Sequence, residues 1–152
     1  MTTEIKRVLL AEDNPNDVEL TLAALAENRL ANDVVVVRDG AEAWEYLCRE
    51  GRYAQRPPGS PAVVLLDLKM PKIDGLEVLR RMRADEALRS VPVVMLTSSR
   101  EERDLLESYR LGVNAYVVKP VAFEAFMSSV SSLGLFWAVV NEPPPGSVRR
   151  AA

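Results

Sequence analysis

The stretch that most restricts the fold is Val63-Val64-Leu65-Leu66-Asp67-Leu68-Lys69-Met70-Pro71, in which four consecutive apolar residues deliver a carboxylate to their end. A strand covered by helices on both faces reads as such a run, and strands of that kind belong to parallel sheets. Asp67 then lies at the carboxyl end of its strand, the edge at which open α/β sheets bind ligands. An aspartate after a strand is also ordinary turn chemistry. Its meaning therefore depends on what the other strands bring to the same edge.

The rest of the chain repeats the pattern. Residues 7–11 are a short apolar run ending in Glu12-Asp13-Asn14-Pro15, where Asn14 suits a helix N-cap and Pro15 the first helical position. Val18, Leu22, Leu25 and Ala26, with Leu30 beyond, recur at helical spacing until Asn32-Asp33 breaks the stripe. The β-branched residues 34–37 predict a second strand closed by an Asp39-Gly40 turn, and a second helix follows over about 41–50. Residues 51–61 are too rich in proline and glycine for regular structure and predict a surface loop. After Asp74-Gly75, Leu76, Val78, Leu79 and Met82 give a third helix, whose Arg80, Arg81 and Arg83 read as a solvated basic face. Residues 91–96 predict a fourth strand ending in Thr97-Ser98-Ser99, and residues 100–110 a charged helix stopped by Leu111-Gly112. Residues 114–118 predict a fifth strand ending in Lys119-Pro120, and a last helix begins near Val121. Five alternations of strand and helix specify an α/β domain with a parallel sheet and right-handed crossovers.

Composition removes several kinds of chemistry. The 152 residues suit one domain, and a formal net charge of −3 supplies no blanket positive field for nucleic acid. No apolar run approaches the ~20 residues needed to span a bilayer, and the first residues lack a secretory leader, so a soluble cytoplasmic protein with no membrane role is expected. Cys48 is the single cysteine, which excludes an intrachain disulfide, and its place on a helix face reads as packing. There is no histidine. Ser/His and Cys/His nucleophiles, histidine metal ligands and phosphohistidine are thereby excluded from this chain. Carboxylates, hydroxyls, lysines and a metal remain.

Four of the five strands carry a polar group to one edge: Glu12 and Asp13, Asp67, Thr97, and Lys119. If the first and third strands are neighbours, three carboxylates converge, and their repulsion raises at least one pKa unless a cation sits among them. Mg²⁺ answers that need, since it prefers oxygen ligands at ~2.0–2.1 Å and takes one or two protein carboxylates. Asp13 and Asp67 would be its direct ligands. An ionised Asp67 beside such an ion is poised to attack a phosphoryl group, with Lys119 and the Thr97 hydroxyl for the phosphoryl oxygens. Tyr116, three residues before Lys119, reads as a β-favouring aromatic packed in the last strand, although its hydroxyl also gives it a reason to reach the surface beside Thr97. No general base is required, but an external phosphodonor is.

With these motifs in place the chain resembles the receiver domains of two-component response regulators. The resemblance rests on Leu10-Ala11-Glu12-Asp13-Asn14, on Asp67-Leu68-Lys69-Met70-Pro71 with Asp74-Gly75, on Leu96-Thr97-Ser98, and on Tyr116-Val117-Val118-Lys119-Pro120, and it covers roughly residues 5 to 135. It implies a flavodoxin-like (βα)5 fold with strand order 2-1-3-4-5. It further implies that Asp67 takes phosphate from a sensor histidine kinase. Asp13, Asp67 and the Lys69 backbone carbonyl would bind Mg²⁺, with Glu12 acting through water. Thr97 and Lys119 would hold the phosphoryl group, and Thr97 and Tyr116 would shift to remodel the face of the fourth helix, fifth strand and fifth helix. The Lys119-Pro120 bond is cis by the same analogy.

Two departures refine the expectation. The segment from Cys48 to Pro61 is longer than such domains usually need, and the chain ends near its last helix, so no effector domain is expected in 1–152. Phe123, Phe126, Met127, Val130 and Leu133 form a core-facing stripe, and the following Gly134-Leu135-Phe136-Trp137-Ala138-Val139-Val140 continues apolar into a tail over about 134–152. Phe136 and Trp137 are thus candidates for a homodimer contact, although folding back on the same monomer explains them equally well. The long insertion and apolar tail resemble the single-domain regulators paired with phytochrome-type histidine kinases. Two rivals remain. An aspartate-nucleophile phosphohydrolase of the haloacid-dehalogenase type wants a second aspartate two positions after the first, where this chain has Lys69. A receiver-like binding module that is never phosphorylated would have no need of the whole constellation. The expected protein is a phospho-accepting signalling protein, not an enzyme.

Overall fold

Five strands and four intervening helices are laid out in the computed structural model, which describes residues 7–26, 33–97 and 102–119. In chain order they are β1 (Arg7–Ala11), α1 (Pro15–Ala26), β2 (Asp33–Val37), α2 (Gly40–Cys48), β3 (Val63–Asp67), α3 (Gly75–Ala84), β4 (Val93–Thr97), α4 (Glu102–Arg110) and β5 (Ala115–Val118). The strands form one sheet in the order β2-β1-β3-β4-β5. Every neighbouring pair is parallel. This is the flavodoxin-like order, and β1 and β3 are indeed neighbours, with Ala11 opposite Leu66.

The apolar runs are buried on both sides, as a parallel sheet requires. Leu9, Ala11, Val64, Leu66, Val93 and Met95 pack with Ala43 and Leu47 of α2 and Val78, Leu79 and Met82 of α3. The alternate residues Val8, Leu10, Val63, Leu65, Val94, Leu96 and Val117 pack with Val18 and Leu22 of α1. Each fully buried Leu or Val is worth ~1.5–3 kcal/mol over exposure. A one-residue slip would exchange the two sets, so the register is firmly held.

Helix starts follow local chemistry. The Asn14 side chain accepts from the backbone N–H groups of Asn16 (2.9 Å) and Asp17 (3.2 Å). Asp39-Gly40, which reads from sequence as a turn, is instead a helix entry, where Asp39 accepts from Glu42 N–H at 2.7 Å; Asp74 caps the third helix in the same way, accepting from Glu77 N–H at 2.9 Å. The glycines serve close packing. A Cβ on Gly40 would lie 1.7 Å from the Ile73 carbonyl oxygen, and one on Gly75 would lie 2.2 Å from the Asp67 carbonyl oxygen.

Two further expectations are corrected. The segment over 51–61 is not featureless: Gly51–Tyr53 is a turn of 3₁₀ helix. The Tyr53 hydroxyl donates to Glu42 at 2.5 Å, and its ring meets Tyr46 edge-on at 5.1 Å. The Arg56 guanidinium lies 4.3 Å from the Tyr46 ring centroid and donates to the carbonyls of Tyr46, Pro57 and Gly59. Proline and glycine excluded a long helix or a strand, but they left side chains free to pin the loop. Nor does Arg83 belong to a solvated face. It donates to the carbonyls of Arg89, Val91 and Gly112 and to Asn114 Oδ1, tying α3 to the start of β5. Arg80 does lie outward, while Arg81 is half-buried with its guanidinium 5.7 Å from the Trp44 ring centroid; both pair with Glu77.

Cys48 is partly buried against the α2/α3 core layer. Burial first, then the charges of Glu50 and Asp85, push its thiol up, away from reactivity. The last helix, the Lys119-Pro120 bond, the tail over about 134–152, Phe136 and Trp137 lie outside the described residues, as do Ser98 and the stripe from Phe123 to Leu133. Among the described residues no helix is long and apolar enough to cross a membrane.

Candidate functional site

The carboxyl ends of β1 and β3 meet where the chain departs to opposite sides of the sheet, and a polar cleft opens there, lined by Glu12, Asp13, Asn14, Asp17, Asp67, Lys69 and Lys119. Strand alternation explains who faces it. Leu10 and Val8 point toward α1, so Glu12, two residues on, points the same way; Asp67 continues Val63 and Leu65, and Lys119 continues Ala115 and Val117. Three side chains from three strands are thereby aimed at the α1 side.

Glu12 is 1 % exposed and Asp67 6 %, while Asp13 is open to solvent. A carboxylate oxygen from each of the three lies within 4.8 Å of the others. Two buried carboxyls at this range cannot both ionise cheaply. Burial is the main reason that the Asp67 carboxyl is pushed up to about 7, Glu12 adds to it as hydrogen-bond partner and like charge, and Lys119 pulls the other way.

Lys119 partly relieves the conflict. Its ammonium pairs with Glu12 Oε1, with Asp17 Oδ2 at 2.9 Å and with Asp67 Oδ2 at 3.4 Å. Burial opposes the charge, but the carboxylates of Glu12 and Asp17, with the field of Asp67, outweigh it and raise the amine to about 12. The second Glu12 oxygen accepts from Asn14 N–H at 3.1 Å. Asp67 Oδ1 receives a long contact, 3.4 Å, from Lys69 N–H.

The loop after β3 is tightly turned. Ile73 N–H donates to Pro71 O at 2.8 Å across Lys72, whose φ of 69° is left-handed, giving a γ-turn of the strained kind. Gly75 N–H donates back to Leu68 O at 2.8 Å, which closes the loop against Asp67.

Of the residues singled out from sequence, Glu12, Asp13, Asp67, Lys69 and Lys119 share the cleft. Thr97 ends β4 opposite Val118, and its side chain lies outside the described part of the structure. Tyr116 pairs with Met95 and is half-buried against the α2/α3 core layer. Asp17 was not anticipated. The available signal was its spacing: four residues after Asp13 and three after the N-cap, it stands in the first turn of a helix that starts at the cleft.

The response regulator receiver domain family matches residues 8–131. The chain belongs to that family. Rcp1 of Synechocystis sp. (strain ATCC 27184 / PCC 6803 / Kazusa) is 36% identical over 132 residues, 87% of this chain and 88% of that one. The structure is similar to that of the bacteriophytochrome response regulator RtBRR, with 60% identity, a TM-score of 0.83 and coverage of 95% of this chain and 87% of that one. It is similar also to the phosphorylated cyanobacterial phytochrome response regulator RcpA, at 41% identity, TM-score 0.74, and 88% and 94% coverage. Rcp1 itself has been solved in a Mn²⁺-bound form, at 34% identity, TM-score 0.75, and 93% and 99% coverage. Receiver-domain response regulators are signalling proteins, and phosphorylation by a histidine kinase is the expected role of this one. Receiver domains bind Mg²⁺ at an acidic pocket. The donor set here fits such an ion: three hard carboxylates close enough to share it, one of them open to water.

Proposed function

We propose that Asp67 accepts a phosphoryl group from a sensor histidine kinase. What supports this reading is the clustering of Glu12, Asp13 and Asp67 within 4.8 Å, with the Lys119 ammonium against Asp67. Asp13, Asp67 and the Lys69 backbone carbonyl, with Glu12 through water, would hold Mg²⁺, which when bound screens the charge between Asp67 and an anionic donor. Asp67 loses its proton and an Oδ attacks phosphorus; the P–N bond of the donor phosphohistidine breaks, and the departing imidazole keeps the electron pair and is protonated by water. Lys119 turns one N–H to a phosphoryl oxygen, and the Thr97 hydroxyl donates to another. Thr97 and Tyr116 then carry the change to the face formed by α4, β5 and the segment after it.

The finer assignments belong to the same proposal. A phytochrome-type kinase is the partner suggested by relatives whose names carry phytochrome. The apolar Phe136 and Trp137 support self-association into a homodimer. Light scattering on Trp137→Ala tests this, and an unchanged mass would remove the residue from the contact. Cytoplasmic location and the lack of multiple-turnover catalysis complete the reading; steady hydrolysis of small phosphate esters would instead favour a phosphohydrolase.

The central test is labelling by a phytochrome-type kinase. The wild type should take up acid-stable, base-labile phosphate only with Mg²⁺, and Asp67→Asn should take up none. Stoichiometric labelling of Asp67→Asn would overturn the assignment.

A further inference from the structure

Lys119 has three N–H donors and three carboxylate partners, but these partners are not equivalent. Glu12 and Asp67 belong to the group of oxygens that can share a divalent cation; Asp17 does not. A divalent cation held by Asp13 and Asp67, with Glu12 through water, would engage two of the three partners of the ammonium and add a doubly charged neighbour. Asp17 is the carboxylate left to compensate Lys119. It comes from the first turn of α1, contacts Nζ at 2.9 Å, and stands outside the group of carboxylates whose oxygens could share an ion.

From this geometry we infer that Asp17 is a positioning residue for Lys119: it holds the ammonium on the α1 side of the cleft and so allows the cation and the lysine to occupy the site together. The inference rests on the metal site being formed by Asp13 and Asp67. Without Asp17, the lysine has only Glu12 and Asp67 left, and it competes with Mg²⁺ for both. A carboxylate that merely added negative charge to the cleft would strengthen Mg²⁺ binding whether or not Lys119 were present. The two roles are separated by a double-mutant cycle, because coupling energy measures only the part of one residue's effect that passes through the other.

The experiment is calorimetric titration of the full chain with MgCl₂ alone, in the wild type, Asp17→Asn, Lys119→Met and the double variant. Asp17→Asn should weaken Mg²⁺ binding about five-fold in the wild-type background and less than about two-fold in Lys119→Met, the scale of one screened charge contact near a surface. Equal weakening in both backgrounds, or no weakening in either, overturns the inference. Asp13→Asn is measured alongside. If it binds Mg²⁺ as the wild type does, the metal site itself is misassigned; if it loses binding while Asp17→Asn is additive with Lys119→Met, only the role of Asp17 falls. Asn is isosteric at a partly exposed position, and a thermal melt of each variant confirms that the fold is retained.

Discussion

Acidification should strip Mg²⁺ from this receiver, and the slope follows from a single buried carboxyl. A proton and the cation compete for Asp67, so the apparent dissociation constant is multiplied by 1 + 10^(pKa − pH). With Asp67 held at about 7, that factor is about 1.1 at pH 8 and about 11 at pH 6, a roughly ten-fold loss of affinity over two pH units. The metal-free fold should show the complementary trend. The folded pKa lies above the unfolded value of 3.8, so between about 4 and about 7 the folded state binds more protons than the unfolded state does. Its stability therefore falls as pH rises through that window. Glu77 gives the opposite dependence, since its Arg80 and Arg81 partners hold it near about 2, but its window lies below pH 5. Calorimetric Mg²⁺ titrations at pH 6, 7 and 8 and fixed ionic strength measure the first effect. Thermal melts of wild type and Asp67→Asn across pH 4–8 without metal measure the second, because the difference between the two curves isolates this carboxyl. Equal Mg²⁺ affinity at pH 6 and pH 8, together with parallel melting curves, would refute the premise that burial and Glu12 keep Asp67 hard to ionise.

Two other substitutions probe the frame around the site. Arg83→Ala leaves the Arg89, Val91 and Gly112 carbonyls and Asn114 Oδ1 without their guanidinium donor, and should lower stability by about 2–3 kcal/mol in urea unfolding; an unchanged midpoint would return Arg83 to the solvated face. Gly75→Ala drives a methyl to within 2.2 Å of the Asp67 carbonyl oxygen, which should cost about 1–3 kcal/mol and also weaken Mg²⁺ binding by displacing the end of β3. Destabilisation with intact Mg²⁺ affinity would show that the loop yields without moving Asp67.

Much of the frame was readable because parallel strands buried on both faces leave a plain mark. The runs at 63–66 and 34–37 are strands in the structure, and Asn14 caps its helix as its chemistry predicts. Asp39-Gly40 reads as a turn because the same two residue types serve hairpin turns and helix entries, and only the approach of Ile73 to Gly40 separates the uses. Arg83 reads as solvated because a helix face rich in arginine looks so until the Gly112 carbonyl, 29 residues further along the chain, arrives beside it.

What the sequence determined by itself is that polar groups end the strands and that no histidine competes with them, since hydrophobic period and residue chemistry are local properties of the chain. What only the tertiary structure decided is how those groups share charge. The order of strands brings Glu12 beside Asp67, and the entry of α1 brings Asp17 to Lys119 across 102 residues of chain. Electrostatic energy depends on distance and burial together, and neither exists until the sheet has closed over its core.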